Sequence, residues 1–71
     1  MAKKYRVKYQ KFTTKLHSAR IEAGLRQVEA GKTLKKIQAY IPRIERGEHR
    51  VNVVELDELA KVYNKDTNYS L

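Results

Sequence analysis

The segment from Lys35 to Tyr40 carries the side chains of this sequence that are best suited to chemistry with a polyanion. Two lysines, Lys35 and Lys36, are followed after one residue by Gln38. A lysine ammonium pairs with phosphate, and a glutamine amide can donate and accept toward the edge of adenine at the same time. The same spacing also fits a glutamine that is merely solvated on a helix, and the residues alone leave both interpretations open.

Catalytic chemistry finds little support in the sequence. His17 and His49 fall in a basic helix and in a loop, where we interpret both as surface residues, and cysteine is absent. The three glycines lie far apart and form no phosphate-binding loop. We therefore predict that the protein is not an enzyme and that it uses no metal, no cofactor and no small-molecule substrate.

The charge distribution favours a polyanionic partner. The chain has 16 Lys and Arg residues against 8 Asp and Glu residues, a formal net charge of +8. Residues 51–71 oppose this trend with two basic and four acidic side chains. One basic and one acidic face are typical of a nucleic-acid-binding protein, although a solvated surface and an anionic membrane surface also fit the composition. The apolar runs are far too short for a bilayer span, so we expect a cytoplasmic, nucleoid-associated protein.

The spacing of apolar residues predicts an all-α chain. Residues 1–10 are basic, and their alternating apolar positions have no second strand to pair with, so we expect a loosely ordered basic N-terminal arm there and one domain over 11–71. A helical stripe predicts the first helix at about 13–23, started by Thr13 or Thr14 and ended by Gly24.

Three further helices are expected in the remainder of the chain. A second helix starts near Arg26. A third apolar set, Ile37, Ile41 and Ile44, has the spacing of a helix that ends at Gly47. Asn52 and Glu55 have the spacing of a capping box, which predicts a last helix that stops near Asn64. Residues 66–71 could add one final turn, which makes four or five short helices in total.

Three motifs follow one another along the chain. They are Arg20–Gln27 (RxEAGLxQ), Gln38–Gly47 (Gln-x-aromatic-Ile-x-Arg-Ile-Glu-x-Gly) and a Leu-x-x-Leu-Ala-Lys helix. With these motifs the sequence resembles the Cro/CI-type (XRE) helix-turn-helix family of phage repressors and small bacterial regulators over about residues 12–69. The resemblance implies a compact lambda-repressor-like domain that binds double-stranded DNA as a transcriptional regulator. Its recognition helix would lie at about 37–46 in the major groove.

The resemblance also implies roles for individual residues. The residues expected to face DNA bases are Gln38, Ala39, Tyr40 and Arg43. Those expected at phosphates are Gln27, Lys35, Lys36, Arg46 and Arg50, and Gln27 would also brace the recognition helix. Arg20 and Glu45 would form a structural ion pair between the first and third helices. The matching core positions are Leu16, Ala19, Val28, Leu34, Ile41, Ile44, Leu56, Leu59 and Ala60.

The basic arm and the assembly state are less constrained by the sequence. Lys3 and Lys4 of the arm either add phosphate contacts or belong to a tail that only improves solubility. A homodimer is one assembly that the resemblance allows, and a two-fold dimer would place its DNA half-sites about 34 Å apart.

Departures from the family pattern concentrate around the turn, as expected of a diverged or an engineered variant. Lys35 replaces the usual turn glycine, Ile37 replaces the helix cap, and Pro42 and Gly31 stand where Ser and Ala are common. Two architectures are therefore open: two helices joined by a turn, or one continuous helix over 26–41 followed by a break. The alternative function is a helical scaffold or protein-interaction module of the same ancestry that has lost specific DNA binding through the changes at Lys35, Ile37 and Pro42.

Overall fold

Four α-helices and no strand make up the part of the chain that the computed structural model describes, namely the backbone of residues 2–65 and the side chains of residues 7–65. The helices are α1 (Ala2–Glu22), α2 (Gln27–Thr33), α3 (Tyr40–Glu45) and α4 (Val53–Val62). The predicted all-α class is confirmed. The expected final turn at 66–71 lies outside the described residues.

The first helix begins much earlier than the sequence predicted. The expectation of a loosely ordered arm over 1–10 is wrong, because α1 is helical from Ala2 and continues without a break to Glu22. Thr13 is not a cap. It lies buried inside α1, and its hydroxyl donates to the carbonyl of Gln10 at 3.0 Å, which gives a mid-helix threonine a partner without ending the helix.

Tyr9 links this added length of α1 to the rest of the domain. Its hydroxyl donates to the carbonyl of His49 at 3.1 Å and accepts from the N–H of Val51 at 3.2 Å. Its ring lies 5.5 Å from that of Phe12, centroid to centroid. These long-range contacts stabilise the helical conformation at Tyr9, and the local alternation of apolar residues could not reveal them.

All four helices of the described chain end in the same backbone motif. In each, a residue in the left-handed region donates its N–H to the carbonyl three residues back, and the next N–H bonds the carbonyl five residues back. The left-handed residues are Gly24 (φ 75°), Lys35 (φ 58°), Gly47 (φ 78°) and Asn64 (φ 58°). The predicted helix ends at Gly24, Gly47 and Asn64 are thereby confirmed.

The chain between α2 and α3 turns sharply, so the predicted two-helix architecture is confirmed and the continuous helix over 26–41 is wrong. The N–H of Lys35 bonds the carbonyl of Lys32, and the N–H of Lys36 bonds that of Gly31, both at 3.0 Å. Lys35 thus adopts the conformation of the missing glycine, at a cost of about 1–2 kcal/mol for a residue with a side chain.

Pro42 is compatible with this arrangement because α3 starts late. The helix begins at Tyr40 rather than at about residue 37, which makes Pro42 its third residue. The N–H groups of the first turn have no partner within a helix, so the proline sacrifices no hydrogen bond there. Gln38, whose carbonyl a proline in mid-helix would contact, lies in the turn before α3.

The core is built from one side of each helix. Its buried apolar residues are Leu16, Ala19, Ala30, Tyr40, Ile41, Ile44, Leu56, Leu59, Ala60 and Tyr63. Seven of the nine expected core residues are among them, whereas Val28 and Leu34 are half-buried. Ile37 was expected to share a stripe with Ile41 and Ile44, but its side chain is 66% exposed because the chain turns before α3.

The start of α4 agrees with its sequence signal. The Asn52 side chain accepts from the N–H of Glu55 at 2.8 Å, and the Glu55 carboxylate accepts from the N–H of Asn52 at 3.0 Å. This confirms the predicted capping box. The reciprocal bonds fix the direction in which α4 leaves the loop after α3.

Candidate nucleic-acid interface

A buried ion pair fastens α3 to α1. The Arg20 Nε lies 2.6 Å from Glu45 Oε2, and the two side chains are only 7% and 8% exposed. A second nitrogen of the same guanidinium, Nη1, donates to the carbonyl of Leu25 at 2.9 Å. The structure therefore brings together the two residues that the family resemblance paired. Because both charges are buried, each depends on the other for its stability.

Two more side chains complete what we call the anchor network, defined as His17, Arg20, Gln27 and Glu45. The Gln27 amide donates to Glu45 Oε1 at 3.1 Å, and His17 Nδ1 lies 2.8 Å from the same oxygen. Burial by itself would raise the pKa of Glu45, but hydrogen bonds from the other three members outweigh it and hold the pKa below its usual value. The network connects α3 to both α1 and α2.

The participation of His17 was missed in the sequence. It lies three residues before Arg20 on α1, a spacing that places both side chains on the same helix face. That spacing was the available signal. The expected bracing role of Gln27 agrees with its bond to Glu45, while its expected phosphate contact remains a prediction.

The turn before α3 and the first part of α3 form what we call the outer segment, residues 35–43. Four of its polar side chains are exposed, namely Lys35, Lys36, Gln38 and Arg43. Ala39, at the N-cap of α3, is half-buried. Lys36 and Gln38 also line a shallow cleft against α2, beside Val28 and Gly31. The outer segment thus combines cations with an amide that can donate and accept.

Tyr40 does not stand at the surface, contrary to the expectation of a base-facing side chain. It is 7% exposed, and its ring packs edge-on against that of His49, with 5.3 Å between centroids. Burial, with a smaller contribution from the nearby Glu55 carboxylate, raises the pKa of Tyr40 to about 12. As the first residue of α3, Tyr40 points inward because Ile41 and Ile44 share its packed side.

The loop after α3 holds the two arginines that were expected at phosphates. Arg46 forms a two-pronged pair with Glu48, with Nε–Oε2 at 2.9 Å and Nη2–Oε1 at 3.0 Å. The guanidinium carbon of Arg50 lies 4.8 Å from the Tyr9 ring centroid. Both arginines are exposed. The Tyr9 hydroxyl of α1 fixes the loop through its bonds to the backbone of His49 and Val51.

Lys3 and Lys4 were also expected to contact phosphates. The side chains of Lys3 and Lys4 lie outside the described residues, so their predicted phosphate contacts stay predictions, although their backbone belongs to α1. Between residues 2 and 65, no helix has both the length and the apolar character needed to cross a membrane. In the same part of the chain, no cluster of three or more His, Asp or Glu residues could hold a metal ion.

The structure thus has two short helices, α2 and α3, joined by a tight turn, and the anchor network fastens the second to the domain. This arrangement defines a helix-turn-helix domain. A family model described as Helix-turn-helix matches residues 16–70, well over half of the chain. The protein belongs to this family, in its Cro/CI-type (XRE) branch, whose general function is DNA binding in transcription regulation. Comparison with curated proteins gave no match, and comparison with solved structures gave none either.

Proposed function

We propose that the protein binds double-stranded DNA sequence-specifically and regulates transcription, with the outer segment in the major groove. The observation that carries the proposal is the orientation of α3. The anchor network holds α3 through Glu45, and two polar side chains stay exposed, Gln38 just before α3 and Arg43 within it. A short helix held in this way can present its first turn to base edges. Such a partner would place the protein with the nucleoid in the cytoplasm.

Base recognition in this proposal rests on Gln38, Ala39 and Arg43. A glutamine amide can bond adenine at two atoms, an arginine can do the same with guanine, and an alanine methyl fits against thymine. Tyr40 is left out of this set because its ring is buried. It supports the interface from inside, since the Lys36 ammonium lies 5.3 Å from its ring centroid.

Phosphate contacts would come from both ends of the outer segment. Lys35 and Lys36 lie before α3, and Arg46 and Arg50 lie after it, so cations flank the base-reading residues along the chain. Arg46 would exchange Glu48 for a phosphate oxygen on binding. Both arrangements are charge-assisted and similar in geometry, so the exchange carries a small net cost.

The experiment is a selection from random duplexes followed by titration of the enriched duplex. Replacing Gln38 with Ala should weaken the preferred duplex by about tenfold to a hundredfold relative to a scrambled one, the value of a bidentate base contact. Replacing Arg46 with Ala should weaken both duplexes equally and reduce the slope of log affinity against log salt by about 0.9. Lys61→Ala, an exposed change on α4, is the matched control and should alter neither.

The outcome that would overturn the proposal is a selection without enrichment. Weak binding that is indifferent to sequence and abolished by salt would instead indicate the helical scaffold that the departures at Lys35, Ile37 and Pro42 also allow. A two-fold dimer would be recognised by an enriched palindrome with half-sites about one helical turn apart.

A further inference from the structure

Ile37 is a large apolar side chain that the fold leaves in solvent. It is 66% exposed, although burying an isoleucine contributes about 1.5–3 kcal/mol to folding. The other large apolar side chains exposed in the described chain belong to α1 and α4, and they are Val7, Ile21, Val53 and Val54. Ile37 is thus the member of this group that lies in the outer segment, immediately before Gln38.

The backbone around Ile37 is fixed rather than loose. The N–H of Lys36 bonds the carbonyl of Gly31, and the carbonyl of Ile37 accepts from the N–H of Tyr40, both at 3.0 Å. The conformation is therefore set on both sides of the residue. Because the backbone is already ordered, contact with a partner costs only the freedom of the side chain itself.

The charge around Ile37 selects the kind of partner. Residues 32–46 carry five Lys and Arg residues and one acidic residue, Glu45, which is itself buried in the anchor network. The exposed Val53 and Val54 open α4, where acidic residues outnumber the single lysine three to one. A polyanion therefore fits against Ile37 and not against the valines.

We propose that Ile37 is a specificity-determining residue that packs against the 5-methyl group of a thymine beside the base that Gln38 reads. The proposal rests on the proposed function. The thymine methyl is the apolar feature of the major groove, and apolar side chains recognise it by contact. The N-cap of α3 is Ala39, so position 37 lies in the turn, where an isoleucine offers an apolar contact surface that a polar side chain would lack.

The test replaces thymines by deoxyuracil in the duplex enriched by the wild-type protein, one position at a time. Uracil keeps every hydrogen-bonding group of thymine and lacks only the methyl. We expect the wild-type protein to lose about fourfold in affinity at one or two positions, the value of one buried methyl-sized group. Ile37→Ser should bind the thymine and uracil duplexes equally at those positions, and its thermal unfolding should stay close to wild type because the side chain is exposed.

Gln38→Ala is the matched control, because it should still distinguish thymine from uracil at the same positions. A wild-type protein that is indifferent to every replacement overturns the role of Ile37 while leaving the proposed function standing. An equal loss in wild type and Ile37→Ser does the same. A selection that enriches no duplex overturns the proposed function and this inference with it.

Discussion

The two sides of α3 are built on opposite principles. On the inner side the anchor network buries Arg20 and Glu45 and pairs their charges within 2.6 Å. In the outer segment, just before α3, Ile37 is 66% exposed, and Lys35 has a left-handed backbone conformation that favours glycine. The inner side therefore contributes to the stability of the domain, whereas the outer segment sacrifices stability at Lys35 and at Ile37.

This difference agrees with the proposed role of the outer segment in binding DNA. Features that cost folding free energy and are held in place by their surroundings concentrate at functional sites. Lys35 and Ile37 are both of this kind, and both lie in the outer segment. The predictions that follow test whether the two sides respond to substitution as differently as this account requires.

The largest effect is expected at the anchor network. Glu45→Ala leaves the buried guanidinium of Arg20 without its partner and should lower the free energy of unfolding by about 3 kcal/mol or more, measured by urea denaturation. Lys61→Ala breaks an exposed pair with Asp57 and should cost less than about 1 kcal/mol. Equal costs for the two variants would show that the network contributes no more than a surface pair.

The pH dependence of stability should report on the same carboxylate. The pKa of Glu45 is lowered in the folded protein, so its contribution is present above its ordinary pKa of 4.5 and is lost as the pH falls through the lower folded value. The melting temperature, measured from about pH 6 down to about pH 2, should fall at the acid end as Glu45 is protonated. Glu45→Gln should reduce it without abolishing it, because the pKa of Glu55 is also lowered, first by its bond to the Asn52 N–H. An unchanged acid profile in Glu45→Gln would contradict the assignment.

Gly31→Ala should stabilise the domain by about 1 kcal/mol, since alanine favours a helix interior over glycine by that amount. An added Cβ would lie 3.8 Å from the Ile37 carbonyl oxygen and 3.9 Å from the Ile41 side chain, both ordinary contacts. The melting temperature is the measurement. A lowered melting temperature would mean that the approach of α2 to the turn is tighter than these distances indicate.

The smallest effect is expected at the turn. Lys35→Gly removes the left-handed strain but adds freedom to the unfolded chain, so a net stabilisation of about 0.5–1 kcal/mol should remain. Asn64→Gly is the matched control: it has the same φ of 58°, and asparagine tolerates that conformation better than lysine does. A gain at position 64 equal to that at position 35 would remove the case for strain specific to the outer segment.

Local signals in the sequence predicted the parts of the fold that depend on local interactions. The capping box at Asn52 and the helix ends at Gly24 and Gly47 follow from residues that satisfy backbone groups within a few positions. The turn at Lys35 was harder to predict because its signal, a glycine, is absent. The burial of α2 and α3 on a common core and the bond from Gln27 to Glu45 favour the turn, and both depend on the folded structure.

The two main errors, at the N-terminal arm and at Tyr40, have different causes. Tyr9 stabilises helix in the expected arm because its hydroxyl bonds His49 and Val51 in the loop after α3, 40 and 42 residues further along the chain. Tyr40 was expected at the bases, but it lies one residue before Ile41 and four before Ile44, so it shares their buried side of α3. Gln38 and Arg43 are exposed as the motif implied, Gln38 in the turn before α3 and Arg43 within α3.

The most direct measurement of the central claim is an amide chemical-shift titration of the ¹⁵N-labelled protein with the enriched duplex. The account predicts that the largest changes fall within the outer segment and in the loop from Arg46 to Arg50, with small changes along α4. Large changes along α4, with the outer segment unaffected, would contradict it.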